Sequence, residues 1–258
     1  MNHLNQCPEQ IAIDELTQRR LFNQVGKPLE QTPQSLEQAF SWQQAVAAQM
    51  AVQGRPVVGW KCALPSAERW GLAPIFQLHR GASVALPAHS PRALVEPEFA
   101  WRVRQDLLPG QTYSPEALRQ ALQCHLALEI IFDRFEAGAR VDYYSRLADG
   151  LLNHSLWLGP PLPEAPAQLP LRWQVGAERA AVEGVHPSGD AFAPAEWLVA
   201  FLHQRGMGLY AGQVIITGSL NGLWRLPVNQ PVVIEYADLA RIEVEFTSEV
   251  CALDGATG

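Results

Sequence analysis

Lysine is almost missing from this chain of 258 residues: among its 19 basic residues only Lys27 and Lys61 are lysines. Charge of either sign is scarce as well, at 17% of residues against a usual share of about 25%. The 26 acidic residues leave a formal charge of -7, and no block of like charge occurs. The electrostatic footprint that holds a phosphate backbone or an anionic lipid surface is absent, so neither nucleic acid nor a membrane is an expected partner. Cysteine is limited to positions 7, 62, 124 and 251, without C-x-x-C spacing or the density of a disulfide scaffold. The longest apolar runs, such as residues 126–132 and 214–217, fall far short of a membrane span. The N-terminus shows no basic segment followed by an apolar one, so a cytoplasmic protein with reduced thiols is expected. H-E-x-x-H, G-x-S-x-G and glycine-rich phosphate loops are also missing, and the seven histidines are scattered. A zinc protease or a serine hydrolase is therefore not supported.

What is present is a 48% hydrophobic chain, long enough to bury a sizeable core. The first part reads as helical. Apolar residues recur at helical spacing over 11–22 and again over 35–52, with Thr32 and Pro33 predicted as N-cap and first helical residue and Gly54 and Pro56 as the stop. From Val57 onward the texture changes to short apolar runs punctuated by Gly and Pro, which are strand signals. Two helices interrupt them. Ser114-Pro115-Glu116 opens one that is predicted to run towards Glu129, and Pro194 opens another that Gly206 closes. Strands and helices do not alternate regularly, which disfavours a doubly wound parallel sheet and favours an α+β fold. The Pro-rich stretch 160–170 reads as a surface connection.

Three segments carry candidate chemistry. In L-V-E-P-E-F-A-W-R-V-R the odd positions from Val95 to Val103 are apolar and the even ones are Glu96, Glu98, Ala100, Arg102 and Arg104, the alternation of a strand with one buried face. Both carboxylates leave the same face about 6 to 7 Å apart, where their repulsion is on the order of 2.5 kcal/mol at an effective dielectric near 20. Either a cation lies between them or water screens them, with Arg102 and Arg104 helping. Spacing alone proves nothing, because Glu243 and Glu245 repeat it between Ile242, Val244 and Phe246. Glu129 is placed differently, as a single carboxylate inside L-A-L-E-I-I-F. Buried without a partner it costs several kcal/mol, so a metal ion, an arginine such as Arg134 or the solvent edge of a helix must compensate it. Three carboxylates without histidine or thiolate would suit a hard cation. Lys61, in V-V-G-W-K-C-A-L, is expected to be partly desolvated with a lowered pKa, or else to snorkel from a strand end. The loop Gly218-Ser219-Leu220-Asn221-Gly222 reads as a substrate-facing loop or as a simple turn after a strand.

Taken in order, G-W-K-C-A-L, V-E-P-E-F-A, H-L-A-L-E-I-I-F-D-R and L-Y-A-G-Q-V-I-I-T-G-S-L resemble the hydratase/decarboxylase branch of the fumarylacetoacetate hydrolase superfamily, over about Val57 to Phe246. The resemblance implies a mixed β-roll or barrel with flanking helices, in which 1–56 is an N-terminal helical arm and 57–258 a metal-binding catalytic domain. It implies Mg²⁺ or Mn²⁺ on Glu96, Glu98 and Glu129, Lys61 as the catalytic or substrate-polarising group, and Leu64, Ser66 and Ser219 at the substrate. The implied activity is a lyase reaction on a small 2-oxo or 2-hydroxydienoic acid, hydration of 2-hydroxypenta-2,4-dienoate in the first place. Decarboxylation of a 4-oxalocrotonate-type acid, or a non-catalytic partner subunit on the same scaffold, is the alternative. A homo-oligomer, either a dimer or a ring of dimers, is implied too, with a complex with a partner enzyme as a further option. The likeness departs where Ile75 and Gln77 replace an acid and a glycine, at Gly150 and Leu151 after Ala148-Asp149, and at Asp190. These positions bear on the substrate pocket.

Overall fold

The computed structural model describes residues 7–88 and 90–248, so Cys251 lies outside the described residues. The chain opens with two helices, α1 (Pro8–Phe22) and α2 (Leu36–Val52). Pro8 and Glu9 start α1, and Arg19 and Arg20 in its last turn complement the negative end of the helix dipole. The cap of α2 differs from the expectation. Ser35, not Thr32, is the N-cap, and its Oγ accepts from the Gln38 amide at 3.1 Å while the Gln38 side chain accepts from the Gln34 amide at 2.8 Å. This arrangement satisfies two donors at once. Ala12, Ile13 and Leu16 of α1 pack on Ala39, Trp42, Val46 and Met50 of α2, and the same cluster takes in Phe76, Phe135, Leu147 and Ala148.

The strands follow as β1 (Gly59–Cys62), β2 (Leu72–Ile75), β3 (Leu78–His79), β4 (Ser83–Ala85) and β5 (Ala93–Val103). After the short helix α3 (Pro115–Ala121) come β6 (Leu122–Ile131), α4 (Tyr143–Ala148), β7 (Asn153–Pro161), β8 (Gln168–Val175) and β9 (Glu178–Val185). The chain ends with α5 (Ala193–Gln204), β10 (Val214–Ile216), β11 (Trp224–Leu226), β12 (Pro231–Tyr236) and β13 (Ala240–Thr247). The larger sheet is mixed, in the order β2-β1-β10-β5-β6-β7-β3 with β11 also on β5, and it curls into a half-barrel. A second sheet has the order β4-β13-β12-β8-β9. The mixed α+β architecture is the expected one.

The main core lies between the sheets. Val95, Phe99 and Trp101 from β5 and Leu126 and Leu128 from β6 meet Leu171, Val232, Ile234, Tyr236 and Phe246 of the second sheet, with Leu198 and Leu202 of α5 closing the cluster. Alternation sends the other residues of the same strands to the opposite face, where Ala100, Ala127, Leu156, Ile75 and Ile216 form a separate apolar cluster. Both faces of β5 are therefore buried, not one.

The predicted helix from Ser114 to Glu129 is a correction. Ser114 does cap a helix, accepting from the Ala117 amide at 3.1 Å, but the helix stops at Ala121 and the chain continues as β6, which pairs with β5 from Val103↔Leu122 to Val95↔Ile130. Leu and Ala favour helix locally. A strand buried on both faces loses the two-residue alternation that would announce it, and pairing on both edges overrides the propensity. Glu129 is thereby a strand residue.

Candidate metal centre

The register of β5 on β6 builds the site. Glu96 stands directly opposite Glu129 and Glu98 lies two residues further along β5 on the same face. Directly opposed side chains have Cβ atoms only about 5 Å apart, so the three carboxylates converge, one oxygen from each lying within 4.8 Å of the others. Glu98 and Glu129 are buried, at 2% and 0% exposure, and Glu96 is half-buried. From β1, Lys61 reaches Glu129 with Nζ 2.8 Å from Oε1 and 2.9 Å from Oε2, and it also donates to the Leu151 carbonyl at 3.2 Å. The Asn153 side chain donates to Glu129 Oε1 at 2.8 Å, and the Gly218 amide donates to Glu98 Oε2 at 2.8 Å. Three carboxylates face one ammonium, so with all four groups ionised the site carries two uncompensated negative charges. Glu243, by contrast, is exposed on β13, and the same spacing there gathers no three-acid cluster among the described residues.

The expected lowering of the Lys61 pKa is overturned. Burial does push it down, but Glu129 in contact, with Glu98 and Glu96 beyond, more than offsets burial and raises it above the ordinary lysine value. Without a metal ion the carboxylates favour the ammonium form of Lys61. Burial and the charge of Glu129 raise Glu96 and Glu98 above the ordinary carboxylate range, Lys61 opposing in both and the Gly218 amide in Glu98.

The turn after Asp149, together with Arg20 and Arg134, holds this arrangement, a role that the sequence did not assign to them. Gly150, Leu151 and Leu152 are all left-handed, with φ of 87°, 51° and 66°, a conformation that costs a non-glycine residue on the order of 1 kcal/mol or more. The turn persists because both ends are clasped. Arg134 Nη2 donates to the carbonyls of Asp149 and Asn153 at 3.1 and 2.9 Å, and Arg20 donates to the same two carbonyls. Arg134 also pairs with the Asp149 carboxylate at 2.8 Å, both side chains being buried. The turn in turn presents the Leu151 carbonyl to Lys61 and the Asn153 amide to Glu129. The partner of Glu129 is thus Lys61 and Asn153, while Arg134 belongs to Asp149. Buried Arg134, Asp149 and Asn153 within twenty residues of one another were the available signal, since such polar groups need partners.

The other predicted site residues sit as follows. Leu64 and Ser66 lie in the exposed turn after β1, where Ser66 Oγ accepts from the Glu68 and Arg69 amides. Ser219 follows the Gly218 that binds Glu98, and its hydroxyl donates to the Gly222 carbonyl. Ile75 is fully buried in the apolar cluster with Ala100, Ala127 and Leu156, and Gln77 is exposed.

The donor set suits a divalent cation. All ligand atoms are oxygens, two of the three carboxylates are buried, and the charge is uncompensated, conditions that favour Mg²⁺, Mn²⁺ or Ca²⁺ over Zn²⁺. Asn153 Oδ1 adds to this, being buried beside Glu129 with no hydrogen-bond partner among the described residues. A pH dependence follows from the raised carboxyls. Because Glu96 and Glu98 hold protons more tightly in the folded than in the unfolded chain, the metal-free protein is most favoured below the ordinary carboxylate value and loses that advantage as pH rises through the raised values. A cation competes with the same protons, so its affinity grows over the same window. Melting curves with and without Mn²⁺ between about pH 5 and 8 should therefore diverge as pH rises. A constant difference would contradict proton competition at these carboxyls.

No protein-family model matches the sequence, and no curated sequence matches it. Among solved structures, the chain is similar to 4-oxalocrotonate decarboxylase from Pseudomonas putida G7 complexed with magnesium and adipate, with a TM-score of 0.72 and 18% identity over 94% of this chain and 99% of the other. The same enzyme complexed with calcium and acetate gives a TM-score of 0.71 and 17% identity over 95% of this chain and 100% of the other. The chain has this fold over nearly its whole length, which is the fold that the sequence motifs implied.

Proposed function

We propose that the protein is a divalent-metal-dependent lyase of the hydratase/decarboxylase branch, acting on a small 2-oxo acid, with decarboxylation placed ahead of hydration. The observation that carries this is the gathering of Glu96, Glu98 and Glu129 from two strands beside the ammonium of Lys61. Similarity in fold to a decarboxylase that was complexed with magnesium or calcium supports it. A cation held by the three glutamates, Mg²⁺ or Mn²⁺, would supply Lewis acidity towards the carboxylate and 2-oxygen of the substrate.

The remaining work falls to the chain. Lys61, whose pKa the metal-free carboxylates raise, would donate to the 2-oxygen, where negative charge builds as the bond to the departing CO₂ breaks. Asn153 and Gly218 fix the rotamers of Glu129 and Glu98, so no reorganisation is needed as that charge develops. Leu64 and Ser66 are proposed to meet the substrate carboxylate, and Ser219 to contact the substrate. Decarboxylation is placed first because hydration requires a base to activate water. Ile75, which stands where the resemblance implies an acid, is buried among Ala100, Ala127 and Leu156 and supplies no base. We further propose a homo-oligomeric assembly, as the resemblance implies.

The test is turnover after chelation and reconstitution. With Mg²⁺ or Mn²⁺, a 4-oxalocrotonate-type acid should release CO₂ faster than 2-hydroxypenta-2,4-dienoate is hydrated, and both rates should vanish with chelator. Glu98→Gln should weaken Mn²⁺ binding by about 100-fold or more. Saturable Mn²⁺ binding without turnover of either substrate would instead identify a non-catalytic subunit that keeps the scaffold.

A further inference from the structure

A cavity of about 340 Å³ is lined by Arg20, Asn23, Arg55, Phe76, Arg134 and His154, with Met50 and Leu86 among its apolar walls. Neither Lys61 nor any of the three glutamates lines it. Three guanidinium groups border this space, and the carboxylate beside them, Asp149, is already paired with Arg134. Arg20 and Arg134 are 7% and 1% exposed. Arg20 makes no ion pair among the described residues, its Nη atoms bind carbonyls, and its Nε has no partner there. Arg134 spends Nε and Nη2 on Asp149 and Asn153 and leaves Nη1 without a partner among the described residues. The side chain of Arg55 has no hydrogen-bond or ion-pair partner among the described residues and is exposed. Asn23 Oδ1 is taken by His154 Nε2 at 3.1 Å, which leaves the Asn23 amide group as a donor.

Asp149 answers Arg134, but Arg20 is buried on carbonyls and the Phe76 ring without an ion pair among the described residues, which leaves part of the cationic charge uncompensated. The neighbouring groups register it. Burial and Arg134 pull Arg20 down to about 9, and burial together with Arg134, Arg20, His79 and Arg55 drives His154 down to about 3. With three guanidinium groups at its wall and Asp149 already paired with Arg134, what the cavity lacks is an anion.

We propose that this cavity binds a small organic dicarboxylate. The planar fork of Arg55 matches one carboxylate, Arg20 Nε and Arg134 Nη1 remain as donors for a second, and the Phe76, Met50 and Leu86 walls favour a carbon skeleton over an inorganic ion. The site is separate from the lyase reading and stands without it.

Glutarate serves as the probe, with inorganic phosphate beside it, in calorimetric titrations of the full chain after chelation. Removing the cation matters because the three glutamates then repel an anion, so that binding reports on the arginine cavity. One saturable glutarate site is expected, tighter than about 10 mM and tighter than phosphate. Arg55→Ala should weaken it by roughly tenfold while the Mn²⁺ titration of that variant stays unchanged, and Arg55 is exposed enough that folding should not depend on it. Glu98→Gln should keep glutarate binding although it loses Mn²⁺. Absence of saturable binding, equal affinity in Arg55→Ala, loss of glutarate in Glu98→Gln, or phosphate binding in preference to glutarate would each overturn the proposal.

Discussion

Lys61→Met is expected to lower turnover of a 2-oxo acid by about 10³-fold, the range associated with loss of a preorganised donor or general acid. Mn²⁺ binding should survive. The ammonium lies within 3 Å of both Glu129 oxygens and competes with a cation for them, so removing it leaves three carboxylates free for the ion. The loss should fall on kcat more than on KM, because the interaction strengthens only as charge develops on the substrate. Without metal the variant should also be less stable than the parent, since Glu129 is 0% exposed and keeps the Asn153 amide but no cation among the described residues. Added Mn²⁺ should restore much of that difference. Steady-state kinetics paired with Mn²⁺ titration decide the matter, and turnover within about tenfold of the parent would remove Lys61 from the mechanism.

Arg134→Met carries the largest expected effect on stability, about 3–5 kcal/mol. Its partner Asp149 is 1% exposed and would be left as a buried carboxylate without a cation. The same substitution removes donors from the Asp149 and Asn153 carbonyls, so the left-handed turn at 150–152 loses one of its two clasps. Asn153 then no longer holds Glu129 in place, and Mn²⁺ affinity should fall along with stability. A second substitution separates the causes. Asp149→Leu in the Arg134→Met background removes the stranded charge and should recover part of the stability without recovering Mn²⁺ affinity. Denaturant unfolding of the two variants checks this. If the double variant is no more stable than the single one, an unpaired buried charge is not the cause.

Much of the site was legible because its residue types are unusual where they stand. A carboxylate inside L-A-L-E-I-I-F and a lysine inside V-V-G-W-K-C-A-L cannot be buried at low cost unless they meet opposite charge, and the structure brings these two together. The Glu96 and Glu98 spacing was readable as one strand face, yet Glu243 and Glu245 have the same spacing and remain apart. Asn153, Arg20 and Arg134 were not legible as one group. Their shared partners are backbone carbonyls, and every residue in the chain has a carbonyl.

The chain alone determined the α+β class, the two opening helices, most strand positions and the identity of the charged groups that must find partners, because periodicity, caps and the cost of burying charge are local or compositional. Tertiary structure decided that residues 122–131 form a strand despite their helical propensity, and with it the register that sets Glu129 opposite Glu96. It also decided the charge state of Lys61. Desolvation, which can be read from neighbours in sequence, lowers its pKa, but the three carboxylates that outweigh it arrive from two other strands, and Coulomb attraction depends on distance in space, not along the chain.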